Sequence, residues 1–93
     1  MEEISKDEFY NLDASHMAEV TADEREFYRI GEERVGVLGV NRNDSEIRVR
    51  GIELHSSPPD GRYRVNGSKS ESARNEDGLE RAREKVKEWM QNR

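Results

Sequence analysis

The chain has 93 residues and a net charge of −5, and charged side chains occupy 40% of its positions whereas hydrophobic ones occupy 31%. This length supports one hydrophobic core, so we expect a single domain over residues 1–93. The absence of cysteine excludes disulfides and thiolate metal sites, and no apolar run approaches the ~20 residues that span a bilayer. With an acidic start unlike a signal peptide, these features favour a cytoplasmic protein without membrane contact.

The negative charge is concentrated in residues 1–26, which hold nine acidic and two basic side chains, a balance of −7. Residues 27–65 and 66–93 each hold seven basic and six acidic side chains. An acidic balance disfavours direct binding to nucleic acid, which requires neutralising Lys and Arg. The same charge would complement a basic surface on a protein partner and speed its association.

A short helix is predicted from residue 6 to about residue 14. Ser5 and Glu8 have the spacing of a capping box, and Ile4 before the cap can contact Phe9 as a hydrophobic staple. Residues 15–25 show no consistent periodicity. We therefore expect an acidic, helical N-terminal region over residues 1–25, with the structure of its second half left open.

Four strands are predicted between residues 26 and 66. The first two, at residues 26–30 and 34–40, are separated by a loop of hairpin length. Residues 41–44 follow as an Asn- and Asp-rich turn, because these side chains bond to their own backbone.

The third predicted strand covers residues 46–55. Its apolar phase changes at Gly51, which predicts a β-bulge. Residues 56–61 contain two prolines and a glycine and form the strongest turn of the chain. A short fourth strand at residues 62–66 completes the predicted sheet.

A polar loop at residues 67–75 and an amphipathic helix at residues 76–91 complete the chain. Asn75 is the predicted N-cap of this helix. Its apolar stripe consists of Leu79, Ala82, Val86, Trp89 and Met90. We predict an α+β fold: a four-stranded antiparallel β-meander with a short N-terminal helix and a C-terminal amphipathic helix packed on the sheet.

The packing of this fold follows from the apolar pattern. The stripe of the C-terminal helix is expected to cover four valines of the sheet, namely Val35, Val37, Val49 and Val65. Leu38, Val40 and Ile52 are expected on the opposite face, under the N-terminal helix or in a homodimer. The chain is thus expected to be a monomer or a homodimer.

No catalytic, metal or cofactor site is predicted, and we expect a protein that is not an enzyme. Glu53 and His55 share a strand face, but without a supporting nucleophile they are interpreted as a solvent-exposed pair. Residues 41–46 lack the glycine and the final acid of a calcium loop. Gly36 and Gly39 precede no helix, as a phosphate loop would require, so the glycines of the sheet are interpreted as sites where a helix packs closely.

Four arginines alternate with apolar residues in the last two predicted strands and are expected on one sheet face: Arg48, Arg50, Arg62 and Arg64. Such a face could bind phosphates. Because acidic residues are interleaved with them, we favour the interpretation that long arginine stems cover an exposed face.

Two stretches resemble small uncharacterised proteins of phages and plasmids. One runs from residue 26 to residue 40, an aromatic-Arg segment followed by a glycine-containing hydrophobic strand; the other is the strand at residues 62–65 with the C-terminal helix. The resemblance covers about residues 26–90. It implies an origin in mobile elements, whose small acidic proteins include anti-CRISPR inhibitors of host defence, and it implies no site residues.

The expected function is that of a non-enzymatic inhibitor or adaptor that binds a basic surface of a nucleic-acid-handling machine in the host cytoplasm. The last acids of the N-terminal region and the first hairpin turn are expected to lie close together and to contact the partner: Asp23, Glu24, Glu26, Glu32 and Glu33. The alternative is a small nucleic-acid-binding module that uses the arginine face.

Overall fold

The computed structural model describes residues 1–12, 22–57 and 59–93, and within them the chain forms five strands and two helices. In chain order these are β1 (Glu2–Ile4), α1 (Lys6–Tyr10), β2 (Glu24–Gly31), β3 (Arg34–Arg42), β4 (Ile47–Ser56), β5 (Tyr63–Ala73) and α2 (Glu76–Gln91). The strands form one antiparallel sheet in the order β1-β2-β3-β4-β5. The α+β class, the meander and the C-terminal helix are as predicted, but the sheet has five strands rather than four.

The additional strand is β1, which pairs with residues 27–29 of β2. Its three residues are too few to show a period-two pattern, so the sequence alone indicated only an approach to the helix. Ile4 is buried in the same cluster as Phe9, as the predicted staple requires. The Ser5 hydroxyl accepts a hydrogen bond from the N–H of Glu8 at 3.1 Å, as predicted for the cap.

Helix α1 ends at Tyr10, earlier than predicted, with Asn11 as its C-cap. Asn is a poor helix former and favours caps, which explains the early end. Residues 13–21, which include His16 and most of the stretch left open at residues 15–25, lie outside the described residues. The end of that stretch is not helical, because β2 begins at Glu24.

Two turns of the sheet are held by hydrogen bonds between residues close in sequence. The Asn43 side chain accepts hydrogen bonds from the N–H groups of Ser45 and Glu46 at 3.0 and 2.9 Å, so the turn is shifted to residues 43–46 and β3 is longer than predicted. In the predicted turn before β5, the N–H of Gly61 donates to the Ser57 carbonyl at 3.0 Å, and Gly61 has a φ of 70° that suits glycine.

The predicted bulge at Gly51 is wrong. Gly51 pairs with Leu38 in an unbroken register between β3 and β4. The apolar phase changes because β4 buries one face at its start and both faces further along, with Ile52, Glu53 and Leu54 all buried. Strand β4 instead has a register shift on its other side, where it pairs with β5 and Asn66 of β5 is the extra residue.

The predicted polar loop at residues 67–75 is also wrong, because β5 continues to Ala73 and pairs with β4 throughout. Ser68, Ser70 and Ser72 alternate with Lys69 and Glu71 along an outer strand. An outer strand with one solvated face needs no apolar alternation, so its sequence looks like a loop.

The sheet buries both faces. The helix-side core consists of Tyr28, Leu38, Val40, Ile47, Val49, Ala73, Ala82, Val86 and Met90. The far-side core, where α1 packs its Phe9 ring 4.8 Å from that of Phe27, consists of Ile4, Phe9, Phe27, Val35, Val37, Ile52, Leu54 and Tyr63.

These two cores correct the predicted packing of the sheet. Val49 lies under α2 as expected, but Val35 and Val37 are on the far side and Val65 is 46% exposed. Leu38 and Val40 lie under α2 instead. Because β3 is buried on both faces, its hydrophobic pattern does not show which alternate residues face the helix.

Two glycines of the sheet are where α2 approaches most closely, as predicted. A Cβ on Gly36 would lie 2.5 Å from the Met90 Sδ, and a Cβ on Gly51 would lie 2.5 Å from a Val86 methyl group. Both glycines are therefore required by the close packing of the helix on the sheet.

Candidate functional site

Two of the acids predicted to contact a partner, Asp23 and Glu24, are bound to Arg42. The N–H of Arg42 donates to the Asp23 carboxylate at 3.0 Å, and its guanidinium donates to Glu24 at 2.5 Å. The same guanidinium donates from Nε to Glu76 at 2.6 Å, and this hydrogen bond holds the pKa of Glu76 below its ordinary value. The Arg42 guanidinium therefore joins Glu24 of the sheet to Glu76 at the start of α2, whereas Asp23 binds the end of β3.

Glu26, a third predicted contact, joins β2 to α2. Its carboxylate accepts hydrogen bonds from the Arg83 guanidinium and from the Tyr28 hydroxyl, and its side chain is only 19% exposed. Burial, together with the hydrogen bond to Glu26, raises the pKa of Tyr28 above its ordinary value. Glu26 is therefore occupied within the fold.

The remaining two predicted contacts, Glu32 and Glu33, lie in the turn between β2 and β3. Asp23 and Glu24 are at the opposite end of β2, and residues 25–31 of this strand separate the two pairs. An extended strand of that length holds them roughly 20 Å apart. The prediction that these acids lie close together is therefore wrong.

A different group of carboxylates comes together at the outer edge of β1. Strand β1 places Glu2 beside the β2–β3 turn, where an open concavity of about 580 Å³ is lined by Met1, Glu2, Arg29, Ile30, Gly31 and Glu32. Glu3 follows Glu2 in β1, and Glu33 follows Glu32 in the turn. We call Glu2, Glu3, Glu32 and Glu33 the acidic edge. All four are exposed, and within the described part of the chain their carboxylates have no ion-pair partner.

The register of β1 distributes the acidic edge over both faces of the sheet. Glu2 lies opposite Arg29 on the far side, and Glu3 lies opposite Tyr28 on the helix side. The charge of Glu3 contributes to the raised pKa of Tyr28, after burial and the hydrogen bond to Glu26. Four carboxylates and the guanidinium of Arg29 leave a net side-chain charge of −3. The sequence indicated an acidic N-terminal region, but only the pairing of β1 places part of it beside the turn.

The four arginines do not form one patch. Arg48 and Arg50 pair with Ser72 and Ser70 across β4 and β5, whereas Arg64 pairs with His55 on the other face. Because successive residues of a strand alternate between faces, the common face predicted for the four is wrong.

Two of the four arginines are also engaged in ion pairs. Arg48 donates to Glu46 at 3.0 Å, and Arg64 donates to Asp60 at 3.0 Å. Arg62 belongs to the turn before β5, where its N–H donates to the Asp60 side chain. These contacts reduce the positive charge that the arginines present to a nucleic acid.

Glu53 is the only fully buried charged side chain among the described residues. Its Oε2 accepts from the Nε of Arg34 at 2.6 Å, and its Oε1 accepts from Asn66 at 2.9 Å and from the Nε of Arg93 at 2.8 Å. Burial alone would raise the pKa of Glu53, but the hydrogen bonds from Asn66, Arg34 and Arg93 outweigh it and hold the pKa below its ordinary value.

The interpretation of Glu53 and His55 as a solvent-exposed pair is wrong for Glu53. The His55 Nε2 lies 3.4 Å from the Glu53 carboxylate and its side chain is 42% exposed. Both carboxylate oxygens are already bonded to Arg34, Arg93 and Asn66, so Glu53 acts as a structural anchor for the end of α2.

Two further features are absent from residues 1–12, 22–57 and 59–93, namely a metal-binding cluster and a membrane-spanning helix. No group of three or more His, Asp or Glu side chains there is arranged to hold a metal ion. None of the helices formed by these residues has the length and apolar character needed to cross a membrane.

Comparison with protein-family models, with curated proteins and with solved structures finds no match to this chain. The candidate site therefore depends on the geometry and charge of the acidic edge.

Proposed function

We propose that this chain is a non-catalytic protein-binding domain whose acidic edge docks on a basic surface of a partner protein. The observation that carries the proposal is the group of exposed carboxylates at Glu2, Glu3, Glu32 and Glu33, which have no ion-pair partner among the described residues. Carboxylates that have no ion pair within the fold are available to a basic partner.

The contrast with Asp23, Glu24 and Glu26 supports this choice of surface. Asp23 accepts a hydrogen bond from the backbone of β3, and Glu24 and Glu26 form ion pairs with Arg42 and Arg83, so a partner would have to break internal contacts to use these acids. The acidic edge has no such cost, because its carboxylates have no ion pair to break within the described part of the chain.

The position of the acidic edge on an outer strand gives a second mode of contact. The outer side of β1 faces no further strand of the described sheet, so its N–H and C=O groups can pair with an extended segment. The concavity beside it has half-buried Ile30 in its lining and carboxylates at its rim. An extended Lys- or Arg-rich segment fits this arrangement, with backbone pairing and charge acting together.

The resemblance to proteins of phages and plasmids gives the proposal a more specific form. In that form the chain acts in the host cytoplasm as an inhibitor of a nucleic-acid-handling machine, of the kind that anti-CRISPR proteins provide. The basic surface of such a machine binds phosphates, and an acidic protein competes for it.

The test is affinity capture from the native host at low salt with three forms of the chain. The variant Glu32→Lys/Glu33→Lys reverses the charge at two of the four positions of the acidic edge. The control Asp44→Lys/Glu84→Lys makes the same change in net charge at two exposed acids that belong to the β3–β4 turn and to α2. We expect the wild type and the control to capture the same protein, and the edge variant to lose it.

The salt dependence of capture is a second readout of the same experiment. A partner bound through charge should be released by moderate salt, because exposed charges are screened within about 8 Å at physiological ionic strength. Equal capture by the edge variant and the control, or no partner with any form at low salt, would refute the proposal.

A further inference from the structure

Strand β5 forms the second outer edge of the sheet. Its eleven residues pair with β4 on one side, and the described sheet has no strand on the other. Outer strands are commonly protected from pairing by proline, by bulges, by short length or by charged side chains such as lysine, and β5 carries Lys69. The bulge at Asn66 interrupts only the first part of β5. The stretch from Gly67 to Ala73 is regular, contains no proline and leaves a row of backbone groups without a strand partner among the described residues.

A two-fold axis perpendicular to the sheet would pair this stretch with that of a second copy. In an antiparallel pair, residues at equal distances from the centre lie opposite each other. The seven residues from Gly67 to Ala73 have Ser70 at their midpoint. Centring the pair on Ser70 therefore uses the whole regular stretch.

The charges select the same register. Within one chain the Lys69 Nζ lies 3.6 Å from the Glu71 carboxylate. With Ser70 at the centre, Lys69 also lies opposite Glu71 of the second copy, and Glu71 lies opposite its Lys69. A centre on Lys69 or on Glu71 would instead place like charges opposite each other, which is destabilising. Length and charge thus indicate one register independently.

The two faces of the paired edge differ in chemistry. Lys69 and Glu71 share the helix side with Ala73, whereas Ser68, Ser70 and Ser72 lie on the far side. On the far side, Ser70 would meet Ser70 of the second copy and Ser68 would meet its Ser72. Hydroxyl pairs across strands are favourable contacts, so both faces are complementary to themselves.

On the helix side, a groove of about 370 Å³ runs between β5 and α2. Its lining includes Lys69, Glu71, Glu88 and the half-buried ring of Trp89. A two-fold axis perpendicular to the sheet leaves the helix sides of both copies on the same face. The two grooves would therefore lie on that face, one on each side of the axis. The second copy would then narrow the open side of each groove beside Trp89.

We infer that the chain forms a homodimer in which β5 pairs with β5 of a second copy, centred on Ser70, to give one continuous sheet. The acidic edge, at the opposite side of each subunit, stays exposed at the two ends of this sheet. The inference does not depend on the proposed function, because it concerns the other edge.

The first test uses charge exchange and sedimentation over a dilution series from about 1 µM to about 1 mM. We expect the wild type to approach twice its monomer mass of 10.8 kDa. Lys69→Glu and Glu71→Lys each place like charges opposite each other and should weaken the dimer by roughly tenfold or more. An equimolar mixture of these two variants restores opposite charges in a heterodimer and should recover the dimer mass, as should the double exchange in one chain.

A wild type that stays monomeric throughout the series would overturn the inference. So would single variants that dimerise as well as the wild type, or a mixture that recovers nothing. Far-ultraviolet circular dichroism of each variant shows whether it retains the wild-type fold, which the exposed and half-buried positions allow.

The second test fixes the register with cysteine, which the natural chain lacks. Ser70→Cys places two thiols directly opposite each other, with Cβ atoms about 5 Å apart, and should form a disulfide-linked dimer on mild oxidation. The matched control Ser68→Cys lies opposite Ser72, so its thiols are roughly 13 Å apart and should not cross-link. Equal cross-linking of the two variants, or none with Ser70→Cys, would contradict the register centred on Ser70.

Discussion

The guanidinium of Arg93 donates from its Nε to the Oε1 of Glu53 at 2.8 Å, which joins the end of α2 to the middle of β4. Arg34 binds the other oxygen of Glu53 and also donates to the carbonyl of Met90 at 2.8 Å. That carbonyl is one of the last groups of α2, which have no partner within the helix. One buried carboxylate thus organises two arginines that hold the helix end on the sheet.

The first prediction concerns this anchor. Glu53→Gln should lower the free energy of unfolding by about 3 kcal/mol, because it leaves two arginine side chains without their counter-charge. The lower end of the usual range is expected, since Arg34 and Arg93 keep 22% and 34% of their side chains exposed. Urea unfolding measures the change. Glu84→Gln, at an exposed position of α2, is the control and should change stability by less than about 0.5 kcal/mol. A similar small effect for Glu53→Gln would contradict the prediction.

The second prediction concerns acid. The pKa of Glu53 is lower in the folded chain than its ordinary value of 4.5, so its contribution to stability is present above that value and is lost as the pH falls through the lowered one. Unfolding free energies measured from about pH 6 to about pH 3 should therefore decline in the wild type. The decline should be shallower in Glu53→Gln, and parallel curves for the two proteins would be evidence against this role.

The third prediction concerns the close approach of α2 to the sheet. Gly51→Ala should destabilise the chain by about 1–3 kcal/mol, because the new methyl group would lie 2.5 Å from a Val86 methyl group. Val86→Ala alone should cost about 2 kcal/mol through the space it leaves. The double variant should be more stable than the sum of the two losses by roughly 1 kcal/mol, since each change relieves the other. Additive losses in urea unfolding would show that the two residues do not share this contact.

The fourth prediction separates protein binding from nucleic-acid binding. At about 50 mM salt, where phosphate contacts are strong, the chain should not shift single- or double-stranded DNA or RNA in an electrophoretic mobility assay. A shift lost in Arg48→Glu/Arg50→Glu but kept in Arg62→Glu/Arg64→Glu would instead support a nucleic-acid module. The two pairs differ because Arg48 and Arg50 share one face of the sheet, while Arg64 lies on the other.

Local signals in the sequence were sufficient for α2, for the start of α1 and for most of the sheet. The stripe from Leu79 to Met90 and the cap at Asn75 predicted α2 with its observed ends, and the Asn75 side chain accepts from the N–H of Gly78 at 3.3 Å. Caps and turns depend on contacts within a few residues, so sequence alone can show them.

The two outer strands were where sequence analysis was incomplete. Strand β1 is too short to have a pattern, and the continuation of β5 beyond Asn66 has the polar composition of a loop. Both are strands only because a neighbouring strand supplies hydrogen bonds along one side, and that neighbour is set by the folded sheet.

By itself, the sequence determined the α+β class, the order of β2, β3, β4 and α2, and the acidic balance of the first 26 residues. Only the tertiary structure decided which acids are free, because Asp23, Glu24 and Glu26 meet Arg42 and Arg83 across the fold while Glu2 meets the turn at Glu32. It also decided that Glu53 is buried. The physical reason is that the state of a charged side chain depends on the partners and solvent around it, and residues distant in sequence supply both.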